Sequence, residues 1–388
     1  MQMVVLHFGR RPLPLATFPL QAHLNRRQRV LPPRSPVSLQ RRLLSIARTY
    51  AAAVVIAGLW PLLAVVALLI DLRRKPRWVS LRLLAFCTWY LAVEAWMLPQ
   101  LGMSWLRWRH KPADLLRDTA RLQERFAGLL FTALRRLFAL RLEDEHAELA
   151  RPGPVIVLVR HTSVADTLLP TVLLSHGQGM RLRFVLKQEL LADPCLDIAG
   201  NRLPNLFVTR NRARAAEDLA AIRQLATGLG ESDGVLIYPE GTRFTPTKQQ
   251  QALASLRKEG SPHLELAETW SHVLPPKPGG VLAALAGAPD ADVVWMTHTG
   301  LEGLADLAAI WRGGLVGQTV KVNLRRTLRR DIPDTPEAQV RWLFAEWDEV
   351  NTWVAAHLPG DTEARQIEND GAKSPPPAHG ALDFNTRQ

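Results

Sequence analysis

The chain has 388 residues with 48 Lys/Arg and 36 Asp/Glu, a formal charge of +12. Residues 1–111 hold 17 basic residues and only two acids, Asp71 and Glu94, while the remainder holds 31 basic against 34 acidic. A nucleic-acid groove binder carries its basic face on the folded domain, and no zinc-finger, homeodomain or RNP pattern is present, so the composition excludes that class.

Basic residues beside apolar segments suit anionic lipid head groups instead. Two cysteines, Cys87 and Cys195, supply neither a disulfide framework nor a metal cluster. A reducing compartment is the default for such a chain.

Residues 1–42 carry Arg10, Arg11, Arg26, Arg27, Arg29 and Arg34 among prolines and show no sustained period. They read as a basic, mostly disordered segment. A signal or transit peptide is the alternative, but the apolar run that follows is too long for a signal h-region. Thr49 to Ile70 is 22 residues without a charge, with Pro61 in the middle. At 1.5 Å per residue this length crosses a hydrocarbon core of about 30 Å. A basic link, Asp71–Arg82, leads to a second apolar stretch, Leu83–Leu106, which contains Glu94 and Pro99. Residues 43–110 are thus expected to form a membrane-associated helical hairpin. Basic residues flank both runs, so the positive-inside rule does not choose an orientation. Two full spans and a hairpin dipping into one leaflet both fit.

Asp114–Leu140 reads as an amphipathic helix, with Leu115, Leu122, Phe126, Leu129, Leu130, Leu134 and Leu137 at three- and four-residue steps. Short apolar strands follow at Val155–Val159, Leu182–Leu186, Leu206–Val208, Val235–Tyr238, Val293–Met296 and Val320–Leu324. Helices are expected between them at Asp166–Ser175, Ala213–Leu229 and Lys248–Lys258. This alternation predicts an α/β domain over 111–358, with a largely parallel central sheet flanked by helices and preceded by the apolar hairpin. Glu337–Leu358 closes the domain as a helix whose Trp342, Trp347 and Trp353 suit either a core or a lipid interface. Residues 359–388 read as a disordered tail.

Two stretches carry chemistry. The first is RHTSVADT, Arg160–Thr167. His161 follows a strand, and in open α/β sheets ligands bind beyond the carboxyl ends of strands. Ser163 and Asp166 fit a capping box for the next helix. Residues five apart on one helix point about 140° apart, so His161 and Asp166 meet only if His161 precedes the helix. An imidazole so placed can accept a hydroxyl proton, with a carboxylate fixing its tautomer. Asp166 acting as a cap alone is the alternative.

The second is YPEGTRF, Tyr238–Phe244, which also follows a strand. Gly241 permits close backbone approach to a ligand, and Arg243 offers a fork of donors for a phosphate. A purely structural turn with Glu240 and Arg243 paired is the alternative. No G-x-S-x-G elbow is present, which speaks against an α/β hydrolase.

Taken in this order, with His161 and Glu240 79 residues apart, the two stretches resemble the glycerolphosphate acyltransferase superfamily. Within it they are most similar to the lysophosphatidic acid (1-acylglycerol-3-phosphate) acyltransferases, over roughly Asp114–Leu324. The resemblance implies a membrane-bound acyltransferase whose catalytic domain faces the cytoplasm. It would move a fatty acyl group from acyl-CoA or acyl carrier protein to a lysophospholipid hydroxyl, 1-acylglycerol-3-phosphate by default. No cofactor and no metal are implied, and no nucleic-acid partner.

In that reading His161 is the general base and Asp166 its orienter. Glu240, Gly241, Thr242, Arg243, Arg210 and Lys187 serve substrate binding and site architecture. Two departures stand out. Pro204-Asn205 occupies the place of the family's glycine ahead of Phe207-Val-Thr-Arg210. The segment Val293–His298 lacks the family's proline, and its His298 reads as a core or rim histidine. A different lysolipid acceptor, or a non-catalytic membrane protein retaining the fold, are the alternatives.

Overall fold

The computed structural model describes residues 39–74, 78–163, 165–209, 212–304 and 307–358. Residues 1–38 of the expected disordered segment 1–42, the expected tail 359–388, and Arg210 lie outside the described residues. The first helix, α1, covers Leu39–Arg74 and so begins four residues before the expected boundary at 43. Helix α2 covers Val79–Trp108 and α3 covers Pro112–Phe138. Both apolar runs extend into the basic link, because Asp71 accepts the backbone amides of Ser80 and Leu81 at 3.0 Å each and ties the two helix ends together.

Seven strands form one sheet: β1 (Arg141–Glu145), β2 (Val155–Val159), β3 (Arg181–Lys187), β4 (Leu206–Val208), β5 (Asp233–Ile237), β6 (Asp292–Thr299) and β7 (Thr319–Thr327). Their spatial order is β1-β7-β6-β2-β5-β3-β4. Every neighbouring pair is parallel except β6 and β7. The expected largely parallel sheet is therefore present. Edge strand β1, Arg-Leu-Glu-Asp-Glu, carries no strand signal in the sequence, since it has one apolar residue and a mostly exposed surface. Charge on an edge strand discourages pairing with another chain.

The central strands are apolar throughout because both faces of the sheet are covered. Ile156 and Leu158 of β2 pack with Val235, Trp295, Val281 and Trp347 in one layer. Val155, Val157 and Val159 of the same strand pack with Leu236, Met296, Phe131 and Phe138 in the other. The closing helix, Pro336–His357, buries Phe344, Trp347 and Val350 in the first layer. Its aromatic stripe is thus chiefly core: Trp347 is fully buried and donates its Nε1–H to the Leu274 carbonyl at 3.0 Å.

A third apolar cluster joins the hairpin to the domain. Val93, Met97, Leu98 and Leu101 of α2 meet Leu122, Phe126 and Leu130 of α3 and Ala199 of the helix Pro194–Arg202. Burying a side chain of this size contributes about 1.5–3 kcal/mol, so α2 is firmly docked. α1 has the opposite character. Val54, Val55, Leu59, Leu62, Val65 and Leu69 are all exposed, and the helix is long and apolar enough to cross a membrane, as is α2. Both ends of α1 nevertheless touch the domain. Arg41 and Arg42 pair with the buried carboxylate of Asp197 at 3.1–3.2 Å. About 50 Å of helix further on, Arg74 donates to the Trp311 carbonyl at 3.2 Å and lies over its ring at 4.7 Å.

Candidate active site

Strand β2 stops at Val159, and the next residues bend across the carboxyl edge of the sheet. Ser163 and Asp166 then form the predicted capping box. The Asp166 amide donates to Ser163 Oγ at 3.2 Å, and Asp166 Oδ2 accepts the amides of Ser163 at 2.8 Å and Thr162 at 2.7 Å. This reciprocal cap starts the helical segment that runs from Ala165 through His176 as successive short 3-10, α and π turns. With His161 ahead of the cap and Asp166 in the first turn, the two side chains meet. His161 Nδ1 lies 3.2 Å from both Asp166 oxygens. A carboxylate accepts, so Nδ1 carries the hydrogen and Nε2 is left with its lone pair free to take a proton. Asp166 is completely buried and His161 is 8% exposed. The cap and the orienting carboxylate are therefore one residue in one conformation.

The second stretch is joined directly to the first. The His161 amide donates to Glu240 Oε2 at 2.6 Å, and the Phe244 amide donates to the His161 carbonyl at 2.8 Å. The other oxygen of Glu240 accepts the Leu274 amide at 2.9 Å. Burial pushes the Glu240 carboxyl up to about 8, against these two amides and Arg160, which favour the ionised form. Glu240 is 1% exposed, and each of its oxygens is held by a backbone amide of the surrounding loops. The alternative of a Glu240–Arg243 pair does not occur.

Gly241 adopts φ +67°, a conformation that favours glycine, and a Cβ there would press on the Lys277 side chain at 3.4 Å. Thr242 and Arg243 are half-buried in the same turn. The Tyr238 ring lies 4.5 Å from the His161 ring, centre to centre. Burial lifts the Tyr238 phenol well above its usual range, and its hydroxyl has no hydrogen-bond partner among the described residues.

The parallel strands bring Arg243 and Lys187 to the same edge. Arg243 follows β5, Lys187 ends β3, and Thr209 follows β4, one residue before Arg210. A groove of about 640 Å³ continues along this edge, lined by Gln188, Glu189 and Thr209 on one side and Arg41, Leu44 and Arg48 of α1 on the other.

Three more residues stand near the pair: Arg160 and His298, both buried, the latter read from the sequence as a core or rim histidine, and the partly buried Glu302. Arg160 is 1% exposed and donates to the carbonyls of His298 at 2.6 Å and His272 at 2.9 Å, and to Glu302 Oε1 at 2.8 Å. Burial alone would raise the Glu302 carboxyl, but the Arg160 guanidinium outweighs it and holds the group low. His298 is fully buried on β6, and burial holds its imidazole below the usual range. Such contacts join residues 112 to 142 positions apart, which no local pattern encodes.

A buried, carboxylate-oriented imidazole thus stands at the carboxyl edge of a largely parallel sheet. Residues 141–294 match the family model described as Acyltransferase. The matched residues span both motif stretches, Arg160–Thr167 and Tyr238–Phe244. No curated protein matches the chain. Among solved structures it is similar to the crystal structure of the 1-acyl-sn-glycerophosphate (LPA) acyltransferase PlsC from Thermotoga maritima. The TM-score is 0.43 at 17% identity, covering 69% of this chain and 95% of that one.

Proposed function

We propose that the enzyme transfers a fatty acyl group from an acyl thioester, on CoA or acyl carrier protein, to the hydroxyl of a lysophospholipid, with 1-acylglycerol-3-phosphate giving phosphatidic acid as the first acceptor to test. The observation that carries this reading is the His161 Nδ1–Asp166 contact at 3.2 Å, which leaves Nε2 as the proton acceptor. His161 Nε2 takes the hydroxyl proton as the oxygen attacks the thioester carbonyl. The C–S bond then breaks, and the departing thiolate receives the proton from the imidazolium, giving an ester and a free thiol. Asp166 stabilises the imidazolium between these steps. Arg243 and Lys187 are assigned to the acceptor phosphate because they belong to one sheet edge, and Arg210 on its motif alone; an arginine fork suits a phosphate.

The membrane reading rests on α1 and α2. A domain on one side of a bilayer cannot hold both ends of a helix that crosses it. The attachments of Arg41 and Arg42 to Asp197 and of Arg74 to Trp311 therefore favour a hairpin immersed in one leaflet over two full spans. The exposed apolar face of α1 is then the face in lipid, and the groove beside Arg48 opens where a lipid acceptor would enter.

The deciding experiment is acyl transfer by the membrane-bound enzyme with a panel of lysophospholipids, comparing wild type with His161→Ala. Transfer to 1-acylglycerol-3-phosphate that falls at least ~10²-fold in the variant supports the reading. Transfer to a different lysolipid alone would reassign the acceptor. Absence of transfer to every acceptor would favour a non-catalytic protein that keeps the fold.

A further inference from the structure

The catalytic pair is backed by a second histidine. Val159 of β2 is aligned with Met296 of β6. His161 lies two residues beyond the first and His298 two beyond the second, so they occupy the same level on neighbouring strands. His298 Nε2 is 2.9 Å from the Arg160 carbonyl oxygen. A carbonyl only accepts, so Nε2 carries the hydrogen and Nδ1 is bare. Consistent with that tautomer, Nδ1 has no hydrogen-bond partner among the described residues. The same Nε2 stands 3.8 Å from Asp166 Oδ2, beyond hydrogen-bond length but close enough for its N–H dipole to act on the carboxylate. Oδ2 is already occupied by the amides of Thr162 and Ser163, while Oδ1 faces the His161 ring alone.

We propose that His298 is a positioning residue for the His161–Asp166 pair. Its Nε2–H holds the carbonyl of the residue just before His161 and faces the rear of Asp166, so the carboxylate stays turned toward the imidazole with part of its charge offset. The proposal rests on the reading of His161 as the base. Among the described residues, the other charged or titratable groups with a recorded contact to the pair, to His298 or to Arg160 are Arg160 itself, Glu302, Glu240 and Tyr238. Arg160 and Glu302 pair with each other at 2.8 Å, and burial raises both the Tyr238 phenol and the Glu240 carboxyl, the latter to about 8.

The test uses the full-length enzyme in detergent with His298→Phe, His298→Asn and His298→Gln. The Gln amide reaches the place of Nε2, whereas the Asn amide falls one bond short. His298→Phe is expected to lower kcat about tenfold with KM for both substrates within about twofold. It should also move the acid-limb midpoint of kcat upward by about half a pH unit, because a less neutralised Asp166 favours the imidazolium. His298→Gln should restore both quantities, and His298→Asn should behave like the Phe variant. A second readout is independent of acyl transfer: the pH midpoint of His161 carbethoxylation by diethyl pyrocarbonate, read by peptide mass, should move and recover in the same pattern.

A folded His298→Phe variant with wild-type kcat and carbethoxylation midpoint would overturn the proposal. If that variant does not fold, equal behaviour of the Asn and Gln variants in both readouts overturns it. Should His161→Ala keep its activity while the carbethoxylation pattern holds, the base assignment falls and the positioning role stands.

Discussion

The backbone amide of His161 donates to the carboxylate of Glu240 at 2.6 Å, so the two sequence stretches are one structural unit. The bond fixes the peptide that carries the imidazole, and the second oxygen of Glu240 ties the same point to Leu274 at 2.9 Å. One buried carboxyl thus registers three segments at the sheet edge: the second residue after β2, the turn after β5 and the loop before the helix Pro278–Gly287.

The pH dependence of stability follows from that burial. The Glu240 carboxyl is raised from 4.5 to about 8 in the folded protein. Between those values the folded chain keeps a proton that the unfolded chain has released, so stability is fully present below 4.5 and is lost as pH rises through about 8. Thermal unfolding in detergent should therefore show Tm falling from pH 7 to pH 9. In Glu240→Gln, which has no carboxyl to titrate, the slope over that interval should flatten. A variant that keeps the wild-type slope would assign the effect to another group.

Asp166→Asn separates the cap from the chemistry. The Asn oxygen can still accept one of the two amides of Thr162 and Ser163, so the stability loss should stay near 1 kcal/mol. The Asn side chain can offer an N–H to His161 Nδ1, which favours the wrong tautomer, so activity should fall at least ~10²-fold. Equilibrium unfolding and kcat measured on the same preparation check both halves. Activity near wild type would reduce Asp166 to a helix cap.

Docking of α1 gives a third expectation. Asp197 is buried and accepts from Arg41, Arg42 and Asn201. In Asp197→Asn the two arginines lose this charged contact, and the first turns of α1 should open more often. Partial exposure of both arginines limits the effect, so about tenfold faster tryptic cleavage at Arg41 and Arg42 is expected, with membrane retention unchanged. Unaltered cleavage would show that apolar packing alone holds this end of α1.

Six of the seven strands, the amphipathic α3 and both apolar helices were legible in the sequence, because each is written in a local period or an unbroken apolar run. The capping box was legible for the same reason: Ser163 and Asp166 are three residues apart. β1 was not, since a charged edge strand has no apolar alternation to read. Neither was the helix Pro278–Gly287, whose short, small-residue sequence gives no amphipathic period.

By itself the sequence determined the α/β class, the apolar hairpin, and the residues His161 and Asp166 as a candidate pair. What only the tertiary structure decided is which groups complete the site. Glu240 reaches back to the His161 amide, Arg160 crosses to His298 and Glu302, and both ends of α1 return to the domain. These are contacts between positions far apart in the chain, set by strand order and by the need of buried polar groups for partners. Local periodicity fixes which segments form. Only their packing fixes which of their polar atoms meet.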